Sequence, residues 1–348
     1  MSEGFRAKME ERIFLKRMRH LLCCLALAAP LTVARAADAP ASPPHNELLG
    51  QIVNIDRPDF KARGKITLHR LQPLAGQLLL SEAKGDPEWI IKTIHPWNPR
   101  LAALLRQMQI QELTLEEADL LLDGPSIVLK LLKAGIPEGE LRQIDYQQGE
   151  GGGWRVTTGS LRLDRLPQGL NGLVLPLSSG GLGYERLEAE GDRDKGSGWL
   201  TGLALQGWRV ARLEGAGEVT GRNSQGYPQR GAFTWKASGT RAPGLAGAAG
   251  RVPELAELLR FAGRNPASAE PVELGKVTMR VESDGSGNFL IRNLVVDAPW
   301  IHLRGEGVLE IRNGEDKNRL RLNLLAKTPQ GREKRFKATI PLSALVRS

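Results

Sequence analysis

Cysteine is nearly absent from this chain. Of 348 residues only Cys23 and Cys24 are cysteines, and both lie in an apolar leader. Beyond the leader the chain has no disulfide framework, no thiolate metal site and no cysteine nucleophile. Histidine is scarce too: none of the five, His20, His45, His69, His95 and His302, stands at metal-ligand spacing from another. No nucleophile elbow and no phosphate loop occurs. Ser81-Glu-Ala-Lys84 has Ser-x-x-Lys spacing without the companion motifs that would give it meaning. Aromatic residues make up 5% of the chain, too few for base-stacking platforms. The basic residues are dispersed and form no block of the kind that grips nucleic acid. These absences predict a protein that is not an enzyme, with no catalytic residue, no cofactor, no metal ion and no nucleic-acid partner.

Two features come nearest to chemistry. Glu188, Glu190, Asp192 and Asp194 alternate along a strand-to-turn segment, as a carboxylate pair or a calcium site would. An exposed strand face ending at Gly196 accounts for them more simply. His69 and His302 fall opposite the apolar residues of their strands, and solvent exposure is the expectation for both.

The leader has the order of a secretory signal. Lys16, Arg17, Arg19 and His20 precede the apolar run Leu21 to Val33, and Ala34-Arg35-Ala36 supplies a small-x-small cleavage site. The run is thirteen residues long and contains Pro30, whereas a helix spanning a bilayer needs about 20. A signal peptide over residues 1–36 is therefore expected, with Met18 as an alternative start and a retained anchor as the alternative fate. Leu22 stands where a lipid-attachment site would place a small residue. Cleavage after Ala36 leaves 41 basic and 36 acidic residues, a net charge of +5 rather than the +9 of the full chain. Such an excess suits peripheral contact with an anionic membrane and does not demand it.

Residues 37–46 form a Pro/Ala/Ser linker expected to be disordered. An N-terminal α+β part is predicted over 47–149. Gly64 to Leu71 and Gly76 to Leu80 alternate as strands, Leu113, Leu115 and Leu120 to Leu122 lean the same way, and two helices are predicted. One begins at Asn98-Pro99 and carries Leu101, Leu104, Leu105 and Met108. The other begins at Gly124-Pro125-Ser126, carries Val128, Leu131 and Leu132, and stops at Gly135. A β-rich repeat part is predicted over 150–345. Trp154 to Thr157, Ser160 to Asp164 and Ala232 to Lys236 alternate apolar and polar residues, as antiparallel strands with one wet face do. A short helix at 253–263 interrupts it, from Pro253 through Leu255, Leu258, Leu259 and Phe261 to Gly263. Beyond it, Val277, Met279 and Val281 point one way and Thr278, Arg280 and Glu282 the other; Leu320, Leu322 and Leu324 repeat the pattern.

An internal repeat is visible. Gly196 to Val219 and Gly285 to Val308 share a rhythm in which Gly215 and Gly217 correspond to Gly305 and Gly307, ninety residues on. Ile110-x-x-Leu113-x-Leu115-x-x-Ala118 is a weaker third copy of Ile291-x-x-Leu294-x-Val296-x-Ala298. Strand units that cannot each bury their own face stack into one sheet.

The block from Val252 to Leu324 resembles the AsmA-like family of Gram-negative envelope proteins, whose larger relatives include TamB. The resemblance is carried by the Leu-rich helix Leu255 to Phe261, the strand Val277 to Val281, Phe289-Leu-Ile-Arg-Asn-Leu-Val-Val-Asp-Ala-Pro, and Ile301-His-Leu-Arg-Gly-Glu-Gly-Val-Leu-Glu-Ile. It covers about a quarter of the chain well and Trp154 to Thr240 more loosely, and rests on a hydrophobic rhythm rather than on chemical residues. The type II secretion subunit N has a similar β-rich texture. The resemblance implies an elongated, twisted antiparallel sheet, a β-groove or open sandwich, with a few short helices. It also implies handling of phospholipid or other envelope lipid between membranes.

The sequence thus predicts a mainly β periplasmic protein, with an apolar sheet face, that binds lipid or supports outer-membrane assembly. The residues expected to face lipid are Val277, Met279, Val281, Ile291, Leu294, Val296, Ile301, Leu303, Leu320, Leu322 and Leu324. The alternative is a structural or secretion-system subunit that buries the same face against an envelope protein partner.

Overall fold

The computed structural model describes residues 49–71, 74–88, 91–92, 106, 109–165, 181–205, 207–222, 228–286, 288–310 and 318–341. Among these it is mainly β, with antiparallel strands and two short helices, as the alternating segments predict. The expected leader and linker, the expected helix after Asn98, and His20, His45 and His95 lie outside the described residues. The chain divides into two compact units between Asp194 and Lys195.

The first unit holds β1 (Leu49–Asp56), β2 (Phe60–Leu71), β3 (Leu74–Gly85), β4 (Leu113–Asp123), β5 (Ser126–Ile136), β6 (Gly139–Gln148), β7 (Trp154–Thr158), β8 (Leu161–Leu163), β9 (Leu182–Tyr184) and β10 (Arg186–Gly191). From β1 to β7 each strand pairs antiparallel with the next. β10 adds to β7, and β8 bridges β6 and β9.

Two expectations are corrected here. The segment from Ser126 is strand β5, not a helix, and Gly124-Pro125 is the two-residue turn of the β4–β5 hairpin, closed by the pair Asp123 and Ser126. A short apolar run reads equally well at either period; the apolar partners on β4 and β6 decide it. Nor does a boundary fall at Gly149. Gly149 to Gly153 form the β6–β7 hairpin turn, with the Gly149 N–H donating to the Gly153 carbonyl at 2.9 Å, and both strands belong to the same unit. The dense glycine there is turn chemistry.

The second unit is a simple meander of β11 (Lys195–Leu205), β12 (Trp208–Arg222), β13 (Pro228–Ala242), β14 (Val272–Asp284), β15 (Asn288–Ala298), β16 (Ile301–Glu310), β17 (Arg319–Lys327) and β18 (Glu333–Pro341). Helices α1 (Ala246–Arg251) and α2 (Pro253–Phe261) interrupt the β13–β14 connection. The predicted helix is α2. Pro253 opens it and Glu254 lies in its first turn, where a negative charge suits the helix dipole. Gly263, at φ +76, ends it. The Arg264 N–H reaches the Leu259 carbonyl at 2.8 Å and the Gly263 N–H reaches that of Arg260 at 3.0 Å, the double closure that a left-handed glycine permits.

In each unit the large apolar residues gather on one side of the sheet. Phe60, Ala62, Leu80, Ala83, Ala118 and Leu131 form the core of the first. In the second, Ile301, Leu303, Leu324, Ala326 and Phe336 pack against Leu258 of α2.

Candidate functional site: the apolar side of the sheet

Residues directly opposite one another in antiparallel strands share a face, so the register shows which side chains meet. In the second unit one rung runs Ala237, Val277, Val296, Leu303, Ala326. Another runs Phe233, Val281, Ile291, Gly307, Leu322, Ala338. Leu294 stands opposite Gly305, which stands opposite Leu324 and then Phe336; Leu320 lies between Leu309 and Ile340. Met279 faces Trp235. All eleven residues expected to face lipid therefore lie on one side of one sheet.

They are not equivalent there. Ile301, at 1% exposure, Leu303 and Leu324 are buried beneath α2, and Leu294, Val296 and Leu322 pack at the edge of that cluster. Val277, Met279, Val281, Ile291 and Leu320 are half-buried and belong to no helix-covered core. Ile301 is a folding residue, and a charge placed there unfolds the protein before it reports on a ligand.

The repeat is a structural one. Its two copies are the hairpins β11–β12 and β15–β16, and their paired glycines sit on the apolar side of the second strand. Each pair is roofed by the next strand: Trp235 and Phe233 of β13 over Gly215 and Gly217, Leu324 and Leu322 of β17 over Gly305 and Gly307. Ile110 precedes β4, so in the proposed third copy the gap that matters lies between Leu115 and Ala118. Glu117 takes a φ of 50° within it, as Asn293 takes 51° between Ile291 and Leu294. At Asn293 strand β15 carries one extra residue against both neighbours and the apolar side is kept, whereas at Glu117 strand β4 stays in one-to-one register with β3 and β5.

Sequence reasoning missed a second apolar side, that of the first unit. Phe60, Ala62, Leu80, Ala118 and Leu131 are buried, with Val53, Ile55, Leu78, Leu115, Leu129 and Ile144 packed against them. The signal was the alternation of Phe60-Lys-Ala-Arg-Gly-Lys-Ile-Thr-Leu68. This side also carries polar groups, satisfied in pairs. The Tyr146 hydroxyl donates to Gln148 Oε1 at 2.8 Å, and the Thr158 and Tyr184 hydroxyls meet at 2.8 Å. Burial pushes the Tyr146 phenol up to about 12. It raises that of Tyr184 as well, against the opposing effect of the Thr158 hydrogen bond.

The outward side is a lattice of ion pairs. Arg155 meets Glu190 at 2.8 Å, and Lys133 meets Glu116 at 2.8 Å; Arg186 pairs with Glu188. Two of the four alternating carboxylates are thus committed to arginines, while Asp192 Oδ1 accepts the Asp194 N–H at 2.7 Å in a turn. Among the described residues no group of His, Cys, Asp or Glu could hold a metal ion. His69 and His302 are half-buried rather than fully exposed. Arg304 Nε donates to His302 Nε2 at 2.7 Å, which places the ring proton on Nδ1, where Asp297 accepts it. Both ring nitrogens are engaged in hydrogen bonds.

Among the described residues the arrangement offers an apolar side backed by a side rich in ion pairs. Among the described residues no helix is long and apolar enough to cross a membrane. No family model, no curated protein and no solved structure matches the chain.

Proposed function

We propose that this is an exported, non-enzymatic protein of the cell envelope that holds lipid acyl chains on the apolar side of its sheet, in lipid transport or outer-membrane assembly. One observation carries the reading: the apolar side runs across the whole second unit, and among the described residues the cluster beneath α2 takes in only its β15–β18 end. A side of Leu, Val, Ile and Phe needs no polar contact to hold a chain, since each CH₂ buried contributes about 0.8 kcal/mol. The resemblance of Val252 to Leu324 to AsmA-like proteins, and a leader ordered as a secretory signal, support the same reading and a periplasmic location.

The test is native mass spectrometry of protein purified from periplasm, with lipid extraction of the same sample. Near-stoichiometric phospholipid is expected, on a chain beginning at Ala37. A sample that is free of lipid and takes up none when phospholipid is added overturns the proposal. The apolar side is then the seat of an envelope protein partner.

A further inference from the structure

Strand β18 presents Lys334, Phe336, Ala338 and Ile340 to the apolar side, because Ala326, Leu324, Leu322 and Leu320 stand opposite them. Lys334 is the one charge in that row. Its partner is not a neighbouring strand residue but Glu257 of α2, whose Oε1 lies 2.5 Å from Nζ. The next residue, Leu258, is buried against Ile301, Leu303, Leu324 and Phe336, with Leu255 and Phe261 beside it. Along one helix, then, a carboxylate sits on the lysine and an apolar ridge sits on the floor.

That is the chemistry of an amphiphile with an anionic head and a hydrocarbon tail. The segment bearing it is joined to the sheet through a single neck. It leaves and rejoins the sheet at Ala242 and Val272, which pair directly. Its neck is drawn tight: a Cβ on Gly244 would stand 2.1 Å from the Ala269 carbonyl oxygen. Ala249, Ala256 and Leu259 form a small core within it, against which Trp300 of the β15–β16 turn packs. Besides the ion pair and the packing of Leu258, it is held by a hydrogen bond from Arg332 Nη2 to the Phe261 carbonyl at 3.0 Å and by the edge of Phe261 on Phe336, ring centres 5.6 Å apart.

We infer that α2 is an internal occupant of a binding site for anionic amphiphiles: Glu257 stands in for the head group on Lys334, and Leu255, Leu258 and Phe261 stand in for the acyl chain. The ligand displaces α2, and the ion pair passes from Glu257 to the ligand's head. This rests on the lipid reading above and adds to it a charge, a seat and a competitor.

The experiment measures binding of dodecyl phosphate, below its micelle concentration, to the full chain by calorimetry. Hydrogen exchange of the α2 amides is recorded in parallel. Glu257→Gln should bind at least tenfold more tightly than the parent, and Lys334→Gln at least tenfold more weakly. A variant with residues 243–271 replaced by Asn-Gly, which keeps the β13–β14 hairpin, should match or exceed Glu257→Gln. Ligand should speed exchange in α2 while β16 and β17 stay protected. Binding that leaves α2 exchange unchanged, or is equally tight in Glu257→Gln and the parent, overturns the inference and leaves the lipid reading intact. Uncharged dodecyl alcohol bound as tightly as the phosphate does the same. Exchange showing α2 opening ahead of β16 and β17, with no amphiphile bound by any variant, overturns both the lipid reading and the ligand assigned here.

Discussion

The ring of Phe233 covers Gly217 so closely that a Cβ on the glycine would stand 2.2 Å from Cδ1 of the ring. The equivalent glycine of the second repeat, Gly307, is covered by Leu322, but there the nearest obstacle is backbone, the Arg321 carbonyl oxygen at 2.5 Å. For its neighbour Gly305 it is the Asn323 carbonyl oxygen at 2.2 Å. The two copies share a plan and differ in what yields.

Gly305→Ala should therefore destabilise more than Gly217→Ala. A strand must shift in the first case and a ring in the second, and overpacking of this kind costs about 1–3 kcal/mol. Urea unfolding of both variants, with Gly217→Ala/Phe233→Leu as a relief control, measures the difference. Equal midpoints for the two single variants would contradict it.

The apolar side should separate into folding and binding positions. Ile301→Ala is expected to lose about 2–5 kcal/mol, the range for emptying a buried aliphatic site. Val281→Glu and Ile291→Glu, at half-buried positions outside the α2 cluster, should unfold at higher urea than Ile301→Glu and yet purify without lipid. Mass spectrometry beside the urea curves checks both halves.

Tyr146 gives a pH signature. Its folded-state phenol is raised by burial from 10.0 to about 12, so its contribution is fully present below pH 10 and is lost as pH climbs toward 12. Tyr146→Phe should be weaker near neutrality by about 1 kcal/mol, for the lost hydrogen bond to Gln148. It should lose less stability than the parent between pH 10 and 12. Parallel alkaline urea titrations decide it, and identical slopes would refute the assignment.

At Asn293 the backbone is left-handed, with φ 51°, a conformation that costs a side-chain-bearing residue about 1–2 kcal/mol. Asn293→Gly should be neutral or stabilising. Asn293→Val should lose at least that amount, since a β-branched residue fits the region worst. Thermal melts of the pair provide the measurement.

Much of the sheet was legible because period-two alternation is a direct projection of one wet face and one dry one. Val277 to Val281 and Leu320 to Leu324 needed nothing else. Strand β5 was not legible, since Ile127, Leu129 and Leu131 and the helical set Val128, Leu131 and Leu132 are both apolar; Leu120, Leu122 and Ile144 across the ladder make the choice. The end of α2 could be read from Gly263, but its seat on Ile301 and Leu324 could not, because nothing local ties a helix to strands that lie about forty to seventy residues further on. Lys334 was invisible as a site for the same reason. In the sequence it is one of four charges, Glu333, Lys334, Arg335 and Lys337, and only the register shows that it shares a side with Phe336 and Ile340.

The extra residue at Asn293 works as a change of reading frame for sidedness. Before it, odd-numbered residues of β15 such as Phe289 and Ile291 face the apolar side; after it, even-numbered Leu294 and Val296 do. Loss of that single residue would invert half the strand, whereas a compensating loss elsewhere in β15 would restore the phase. Insertions and deletions in such a sheet are therefore tolerated in pairs, and an alignment that counts them singly will misjudge which relatives can share the fold.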